Sequence, residues 1–329
     1  MISQHSKEKI YLHSPIGIKH GFFVCSARYE CSSQNCGVHI GSGVSESLEE
    51  ARAKALSELI ERYSFSGACL QLRSTQKYLF EGNLKQFKLF PSNQTDAPSI
   101  QKIFSSGCRN NVDNSVADAI TEAIERVHLR RWCDSVQKSI SEVSCYRVMH
   151  LTEIEGSAVW RYLHGKKINL IVSWFNSPLS VPCVILMAQD NNTGTFLLSS
   201  ASGATSLHAI NRAALDIAKM LLVEEKVDAW KFNMGFRHNN DLLKKLDLFS
   251  QSHALDMNLH EIALMRDATI TGQTNFQLEV LVRTTSLSQS LKMYPIGISN
   301  EQLELIPTLV KIENLALCTQ SRILLECFT

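Results

Sequence analysis

Long apolar runs are missing from the sequence, and their absence argues against a transmembrane protein. The two most apolar stretches, Ile168–Phe175 and Val181–Ala188, are far shorter than the ~20 residues that a membrane-spanning helix needs. The N-terminal segment MISQHSKEKIYLHSPIG also lacks the apolar core of a signal peptide. We therefore expect a cytoplasmic protein with no membrane partner.

The sequence also lacks an excess of charge of either sign. Its 33 Lys and Arg residues face 32 Asp and Glu residues, and the formal net charge is +1. Nucleic-acid-binding domains usually carry a clear surplus of basic residues, so this balance argues against a nucleic-acid partner. Hydrophobic residues make up 44% of the 329 residues, which is enough for a large core and argues against a disordered chain.

The common cysteine, histidine and glycine motifs are absent as well. The ten cysteines contain no CxxC pair, and the eleven histidines form neither an HExxH motif nor a close His–His pair. No P-loop motif occurs, and Gly41-Ser42-Gly43 lacks the third glycine of a dinucleotide-binding turn. We expect the cysteines to be reduced, small and buried, because no export signal is present.

Hydrophobic periodicity predicts helices that alternate with strands. The predicted helices are Leu48–Phe65, Val116–Cys133 and Leu207–Glu225. The predicted strands are Gly21–Ser26, Gly37–Ile40, Ile168–Phe175, Val181–Gln189, Thr195–Ser200 and Phe276–Arg283, with a hairpin turn at Asp190–Gly194. The segment Leu84–Phe90 is ambiguous. The pattern favours an α+β fold with a mixed or antiparallel sheet and helices packed against it.

The first helix has a clear start and two distinct faces. Ser47 followed by Glu50 forms a capping box, which predicts the helix N-terminus. On a helical wheel one face carries charged residues, namely Lys54, Glu58, Glu61 and Arg62. The apolar face predicted to be buried consists of Ala55, Leu56, Leu59, Ile60 and Tyr63.

A shift of 64 residues reveals an internal repeat. It aligns Ala55–Arg62 with Ala119–Arg126, where five of eight positions are identical. The same shift places Gly41–Gly43 over Ser105–Gly107. Such a repeat predicts two equivalent turn-and-helix units that pack side by side.

Both copies contain the sequence Glu-x-x-Glu-Arg: Glu58, Glu61 and Arg62 in the first copy, and Glu122, Glu125 and Arg126 in the second. Carboxylates at i and i+3 lie one turn apart on the same helix face. Carboxylate oxygens suit Mg²⁺, which often bridges to phosphate, and arginine binds phosphate in a bidentate manner. Two such helices side by side would form a metal–polyphosphate site. The alternative is a pair of solvated faces, on which Glu and Arg only stabilise the helices.

These segments resemble the paired nucleotide-binding helices of YcaO-domain proteins. The family carries Ser-x3-Glu-x-x-Glu-Arg in the first copy, and a Ser/Asn-Gly turn before a Glu-x-x-Glu helix in the second. The matching stretches are Gly41–Ser66 and Ser105–Trp132, and Ser202–Leu215 resembles the family's third helix. The resemblance implies a single YcaO-like domain over residues 1–329, with the repeat at about 41–66 and 105–132.

The family resemblance also implies a chemistry. YcaO proteins use ATP and Mg²⁺ to activate peptide backbone amides, and attack by a neighbouring Cys, Ser or Thr gives azoline rings in ribosomally made peptides. Other members make thioamides or amidines. By position, Mg²⁺ and phosphates would be held by Glu58, Glu61, Glu122 and Glu125, and the nucleotide would be contacted by Lys54, Arg62, Ser106 and Arg126. The implied partners are a precursor peptide and a separate leader-binding protein, and homo-oligomerisation stays open.

Three positions depart from the family pattern. Lys54 stands where the family has Ser, and Asp216 and Lys219 stand where its third helix has Glu and Gln. A lysine binds phosphate as a point charge, without the geometry of the family's residues. These departures favour, as an alternative, a YcaO-like scaffold that binds a peptide or partner without ATP turnover. Thioamide formation is a third interpretation that shares the ATP site.

Overall fold

A computed structural model defines the architecture of the chain. It describes residues 9–30, 38–65, 76–80, 87–91, 104–110, 112–138, 142–149, 157–166, 168–175, 181–190, 196–226, 249, 254–268, 291–295 and 306–312. The chain divides into two compact units: a first unit of residues 1–120 and 288–315, and a second unit of residues 121–287 and 316–329. The single domain implied by the resemblance stays a prediction.

The described residues form an alternation of strands and helices, as the periodicity predicts. The strands are β1 (Lys9–Leu12), β2 (Phe23–Glu30), β3 (Val38–Ser45), β4 (Gln76–Phe80), β5 (Phe87–Pro91), β6 (Phe104–Arg109), β7 (Val143–Val148), β8 (Ile168–Phe175), β9 (Cys183–Asp190), β10 (Phe196–Ser202), β11 (Leu255–Met257), β12 (Leu291–Pro295) and β13 (Ile306–Ile312). The α-helices are α1 (Leu48–Phe65), α2 (Val112–Lys138), α3 (Ala158–His164), α4 (Ser206–Lys226) and α5 (Leu259–Ala268). A 3₁₀ turn covers Ile18–His20.

Helix α1 and strand β8 have the predicted bounds, and α2 is longer than predicted at both ends. The first turns of α2 contact the end of β6. The Ser115 hydroxyl accepts a 2.7 Å hydrogen bond from the Arg109 N–H, and Ser115 is fully buried. The predicted strand Phe276–Arg283 and the centre of the predicted hairpin turn, residues 191–194, lie outside the described residues.

In the first unit, α1 packs on a three-stranded antiparallel sheet of order β1-β2-β3. The core between them joins Cys25, Ala27 and Tyr29 of β2 with Ala55 and Leu59 of α1. The charged face of α1 remains half-buried or exposed, as its helical pattern predicts. A second antiparallel sheet in this unit has the order β5-β4-β12-β13-β6, which makes β6 an edge strand.

The second unit is built on a mixed sheet of order β10-β9-β8-β7-β11, in which only the pairing of β11 with β7 is parallel. Trp132 and Cys133 of α2 pack on it against Cys145, Ile171 and Met187. Helix α4 packs against β9 and β10. The sheets and packed helices confirm the predicted α+β class.

The described cysteines agree with the sequence-based expectation. All five are free and buried, namely Cys25, Cys108, Cys133, Cys145 and Cys183. Burial raises the pKa of the Cys145 thiol to about 12, which disfavours the reactive thiolate. Within the described part of the chain, no helix combines the length and the apolar character that a membrane crossing requires.

Candidate functional site

A glycine sets the distance between strand and helix in both copies of the sequence repeat. A Cβ atom on Gly43 would lie 2.6 Å from the Ala55 nitrogen, and one on Gly107 would lie 2.7 Å from the Ala119 nitrogen. Real Cβ atoms essentially never approach other atoms closer than 3.0 Å, so only glycine fits at either position. The matching residues are 64 positions apart in both elements, so the strand packs on the helix in the same register in both copies.

Glu58, the first carboxylate of the α1 motif, is held by an edge strand. Its Oε2 accepts hydrogen bonds from the Ser42 N–H at 2.6 Å and the Ser42 hydroxyl at 2.9 Å. Its Oε1 pairs with Arg62 at 2.5 Å. β3 lies at the edge of its sheet, so the carboxylate satisfies an N–H that has no strand partner. We call Ser42, Glu58 and Arg62 the first cluster.

Glu125, the second carboxylate of the α2 motif, makes the same type of contact in the second unit. Its Oε1 accepts hydrogen bonds from the Ser202 N–H at 2.8 Å and the Ser202 hydroxyl at 2.9 Å. Arg212 lies 3.3 Å from the same oxygen and donates a 2.7 Å hydrogen bond to the Ser202 carbonyl. Ser202 ends the edge strand β10. We call Ser202, Glu125 and Arg212 the second cluster.

The second cluster is the more buried of the two. The Glu125 side chain is 14% exposed, against 27% for Glu58. Burial raises the pKa of Glu125, and the charge of Arg212 and the two Ser202 hydrogen bonds oppose that rise. A buried carboxylate of this kind gains from any cation that reaches it.

The remaining two glutamates of the motifs are partly exposed. Glu122 lies 3.8 Å from Arg126, whose side chain is only 11% exposed. Glu61 is half-buried. The pKa of the Cys108 thiol is raised to about 12, first by burial of the thiol and second by the negative charge of Glu61. This electrostatic contact places the Glu61 charge close to β6, the strand that contains Ser106. The Ser106 side chain lies outside the described residues.

Lys54, which the resemblance assigns to the nucleotide, is occupied by protein partners. Its Nζ lies 2.8 Å from Glu50 and 3.3 Å from the Val44 carbonyl oxygen. The equivalent residue in the second copy, Asp118, forms an ion pair with Arg109. Hydrogen bonds from Lys54 and Ser45 lower the pKa of Glu50. Both copies therefore carry an ion pair beside the helix start.

The two departures on α4 are partners of each other. The Lys219 Nζ lies 3.4 Å from a carboxylate oxygen of Asp216. Arg212, Asp216 and Lys219 follow the spacing i, i+4 and i+7, so they share one face of the helix. The helix face that begins with Arg212 of the second cluster thus continues with Asp216 and Lys219, whose opposite charges neutralise each other.

The donor set suits a metal that binds together with phosphate. Within the described ranges, no group of three or more His, Cys, Asp or Glu side chains is placed to hold a metal ion. Mg²⁺ in nucleotide sites usually takes only one or two carboxylates and completes its shell with water and phosphate oxygens. Carboxylates flanked by arginines fit that requirement, and the ligand roles of the four glutamates stay predictions.

Sequence analysis did not identify the serines or the second arginine of these clusters. Ser42 was visible only as the centre of Gly41–Gly43, and Ser202 only as the start of the third family-like segment. The hydrogen bonds from Ser202 reach a glutamate 77 positions away in sequence. No local pattern encodes such a contact.

Comparisons with known proteins bear on the fold. The sequence matches no protein-family model, and no curated protein shows a significant match. Among solved structures, YcaO from Methanopyrus kandleri, bound with AMPPCP and Mg²⁺, is similar with a TM-score of 0.61 and 14% identity, over 98% of this chain and 88% of that one. A heterocyclase in complex with substrate and cofactor has a TM-score of 0.59 and 12% identity, over 94% of this chain and 50% of that one. The chain therefore has the YcaO fold.

Proposed function

We propose that this chain is an ATP- and Mg²⁺-dependent enzyme of the YcaO type that activates backbone amides of a ribosomally made peptide. The observation that carries the proposal is the occurrence of two matched Ser–Glu–Arg clusters on the YcaO fold. The similar Methanopyrus kandleri protein was solved with AMPPCP and Mg²⁺, which supports a nucleotide–metal site on this fold.

In this proposal the paired glutamates hold Mg²⁺ together with the phosphates. Glu125 is the best suited, because it is a buried carboxylate with one oxygen fixed by Ser202. Arg126 is nearly buried, so little side-chain entropy is lost when its guanidinium meets a phosphate. Arg62 is exposed and can exchange its contact with Glu58 for a contact with the ligand. When bound, Mg²⁺ would neutralise part of the negative charge of the phosphates.

The chemistry follows from the poor leaving ability of an amide oxygen. Transfer of the terminal phosphoryl group of ATP to that oxygen forms a P–O bond and releases ADP. A Cys, Ser or Thr side chain of the peptide attacks the amide carbon and gives up its proton. The amide nitrogen then gives up its proton as a C=N bond forms, and the C–O bond breaks so that the oxygen departs as phosphate. The peptide loses one water in total. Arg62 and Arg126 contribute by stabilising the phosphate charge as it shifts between these groups.

The substrate class and the partner belong to the proposal. The similar heterocyclase was solved in complex with substrate and cofactor, which supports a substrate site on this fold. We propose a ribosomally made peptide as that substrate. The chain spans about half the length of that heterocyclase. We also propose a leader-binding protein as the partner that delivers the peptide. Thioamide formation would use the same nucleotide site and would give a different product mass.

Nucleotide binding and product mass test the proposal in two steps. Calorimetric titration with AMPPCP should give binding that depends on Mg²⁺. Incubation with ATP, Mg²⁺, the precursor peptide and the partner protein should then remove one water from the peptide and form ADP and phosphate. Glu125→Gln should abolish product formation and weaken AMPPCP binding, whereas Glu49→Gln on an exposed part of α1 should leave both unchanged. Absence of AMPPCP binding by the wild-type protein would contradict the proposal.

A second candidate is a YcaO-like scaffold that binds a peptide or a partner enzyme without ATP turnover. Two observations favour it: Lys54 is bound by Glu50, and Lys219 is bound by Asp216. The first pair neutralises a side chain that the family resemblance assigns to the nucleotide, and the second pair joins the two positions that depart from the family's third helix. The same calorimetric titration separates the candidates, because a scaffold would bind the peptide or partner and show no Mg²⁺-dependent AMPPCP binding.

A further inference from the structure

Two edge-strand serines each hold one of the four glutamates to which the proposal assigns Mg²⁺. Ser42 donates two hydrogen bonds to Glu58, and Ser202 donates two to Glu125. We propose that Ser42 and Ser202 are positioning residues, which fix one oxygen of each carboxylate so that the side chain is pre-oriented for a Mg²⁺–nucleotide complex. The inference rests on the proposed function and adds two residues to it.

The geometry explains why a serine suits this role. Both donors of each serine reach the same carboxylate oxygen, Oε2 in Glu58 and Oε1 in Glu125. One donor is a backbone N–H in a strand, so its position is fixed by the sheet. Hydrogen bonds to a charged acceptor are stronger than neutral ones, and two of them restrict the torsions of the long glutamate side chain. The free energy cost of ordering that side chain is therefore met before a ligand arrives.

The arginine contacts a different oxygen in each cluster. In the second cluster Arg212 lies 3.3 Å from Oε1 of Glu125, the oxygen that Ser202 also holds, and the Glu125 side chain is only 14% exposed. Oε1 of Glu58 instead contacts Arg62, which is 58% exposed. We therefore expect the Ser202–Glu125 contact to matter more for metal binding, because its acceptor is less screened by water.

A purely structural role would look different in an experiment. A serine that only satisfies an edge strand would affect thermal stability and leave the Mg²⁺ dependence of ligand binding unchanged. A hydrogen-bond partner of a metal ligand typically contributes about 10–100-fold to metal affinity. The Mg²⁺ concentration needed for AMPPCP binding is therefore the decisive measurement.

The test compares Ser202→Ala and Ser42→Ala with matched serine controls on neighbouring positions. Ser200→Ala removes a buried hydroxyl from the same strand β10, and Ser26→Ala removes the hydroxyl directly opposite Ser42 in the sheet. AMPPCP binding is measured by calorimetry at a series of Mg²⁺ concentrations, and folding is checked by thermal unfolding. We expect Ser202→Ala to raise the required Mg²⁺ about 10-fold or more, Ser42→Ala to raise it less, and both controls to match the wild type.

Restoring a hydroxyl gives an independent check. Ser42→Thr keeps the oxygen donor and suits a strand, so it should restore the wild-type Mg²⁺ dependence. Unchanged Mg²⁺ dependence in both alanine variants would overturn the positioning role, even if thermal stability fell, and would leave the proposed function standing. Absence of Mg²⁺-dependent AMPPCP binding by the wild-type protein would instead overturn the proposed function, and the positioning role with it.

Discussion

The first and second clusters have the same chemical composition and are assembled in different ways. In the first cluster, Glu58 and Arg62 belong to one helix at i and i+4, and Ser42 precedes Glu58 by 16 residues. In the second cluster, Glu125, Ser202 and Arg212 come from α2, β10 and α4, three separate elements. The first cluster is thus largely a local structure, whereas the second depends on the tertiary fold. The difference teaches that one chemical arrangement can arise from two topologies.

The largest expected effect concerns the glycines that set the helices against their strands. Gly107→Ala and Gly43→Ala should each lower the free energy of unfolding by about 3 kcal/mol, because a Cβ would overlap helix backbone atoms. Chemical denaturation measures the change. Gly165→Ala is the matched control, since its added Cβ would meet no atom closer than 3.5 Å. A small effect at Gly107 and a large one at Gly43 would break the equivalence of the two copies.

Replacement of the glutamates should separate the two clusters by ligand affinity. Glu125→Gln should weaken Mg²⁺-dependent AMPPCP binding beyond the roughly 10–100-fold typical for an outer hydrogen-bond partner. Glu58→Gln should weaken it less, because Glu58 is more exposed and already paired with Arg62. Calorimetric titration measures both, with Glu49→Gln as the control. Equal losses in the two variants would show that burial does not distinguish the clusters.

Replacement of the arginines should separate the clusters by stability. Arg62→Ala removes an exposed i,i+4 pair and should change the free energy of unfolding by about 0.5 kcal/mol or less. Arg212→Ala removes both the partner of a mostly buried carboxylate and a hydrogen bond to Ser202, so it should cost about 1–2 kcal/mol. Urea denaturation measures the two values. A larger loss for Arg62→Ala would contradict the burial argument.

The stability of the protein should depend on pH through a histidine near the second cluster. His128 lies on α2 close to Glu125 and is fully buried. Its pKa is held well below 6.5, mainly by burial and also by the positive charges of Arg266 and Arg131. The unfolded chain takes up a proton as the pH falls below about 6.5, and the folded chain does not. Stability should therefore be full above that pH and decline below it, by up to about 1.4 kcal/mol per pH unit.

The variant His128→Asn removes this titration. Its urea-denaturation midpoint should depend less on pH between about 5 and 6.5 than that of the wild-type protein. His260→Asn, at an exposed position of α5, is the control and should keep the wild-type slope. An unchanged slope in His128→Asn would show that the histidine is not held neutral by burial.

Much of the first cluster and of its helix can be derived from sequence. The bounds of α1 follow from the capping box and from helical periodicity, and the Ser47 hydroxyl does accept a hydrogen bond from the Glu50 N–H, at 3.4 Å. On the predicted apolar face, Ala55, Leu59 and Ile60 are buried and Leu56 is partly buried, while the Tyr63 side chain lies outside the described residues. In a complete capping box the Glu50 carboxylate would accept a hydrogen bond from the Ser47 N–H. Here it accepts one from the Ser45 hydroxyl, and the Ser47 N–H donates to the Ser45 oxygen instead.

The capping box of α5, by contrast, was not predicted. Asn258 and Glu261 exchange hydrogen bonds between side chain and backbone in both directions. The residues follow the rule that identifies the start of α1, with asparagine in place of serine. The helix was missed because its apolar periodicity is weak over so few residues.

The sequence by itself determined the helix carrying Glu58, the repeat that predicts a matching helix with Glu125, and the glycine of each copy. These depend on spacings of three to eight residues, over which backbone geometry leaves little freedom. Only the tertiary structure decided that Ser202 and Arg212 meet Glu125. The partners of Glu125 lie on different elements, and contacts between elements are selected by the packing of the whole core rather than by local periodicity.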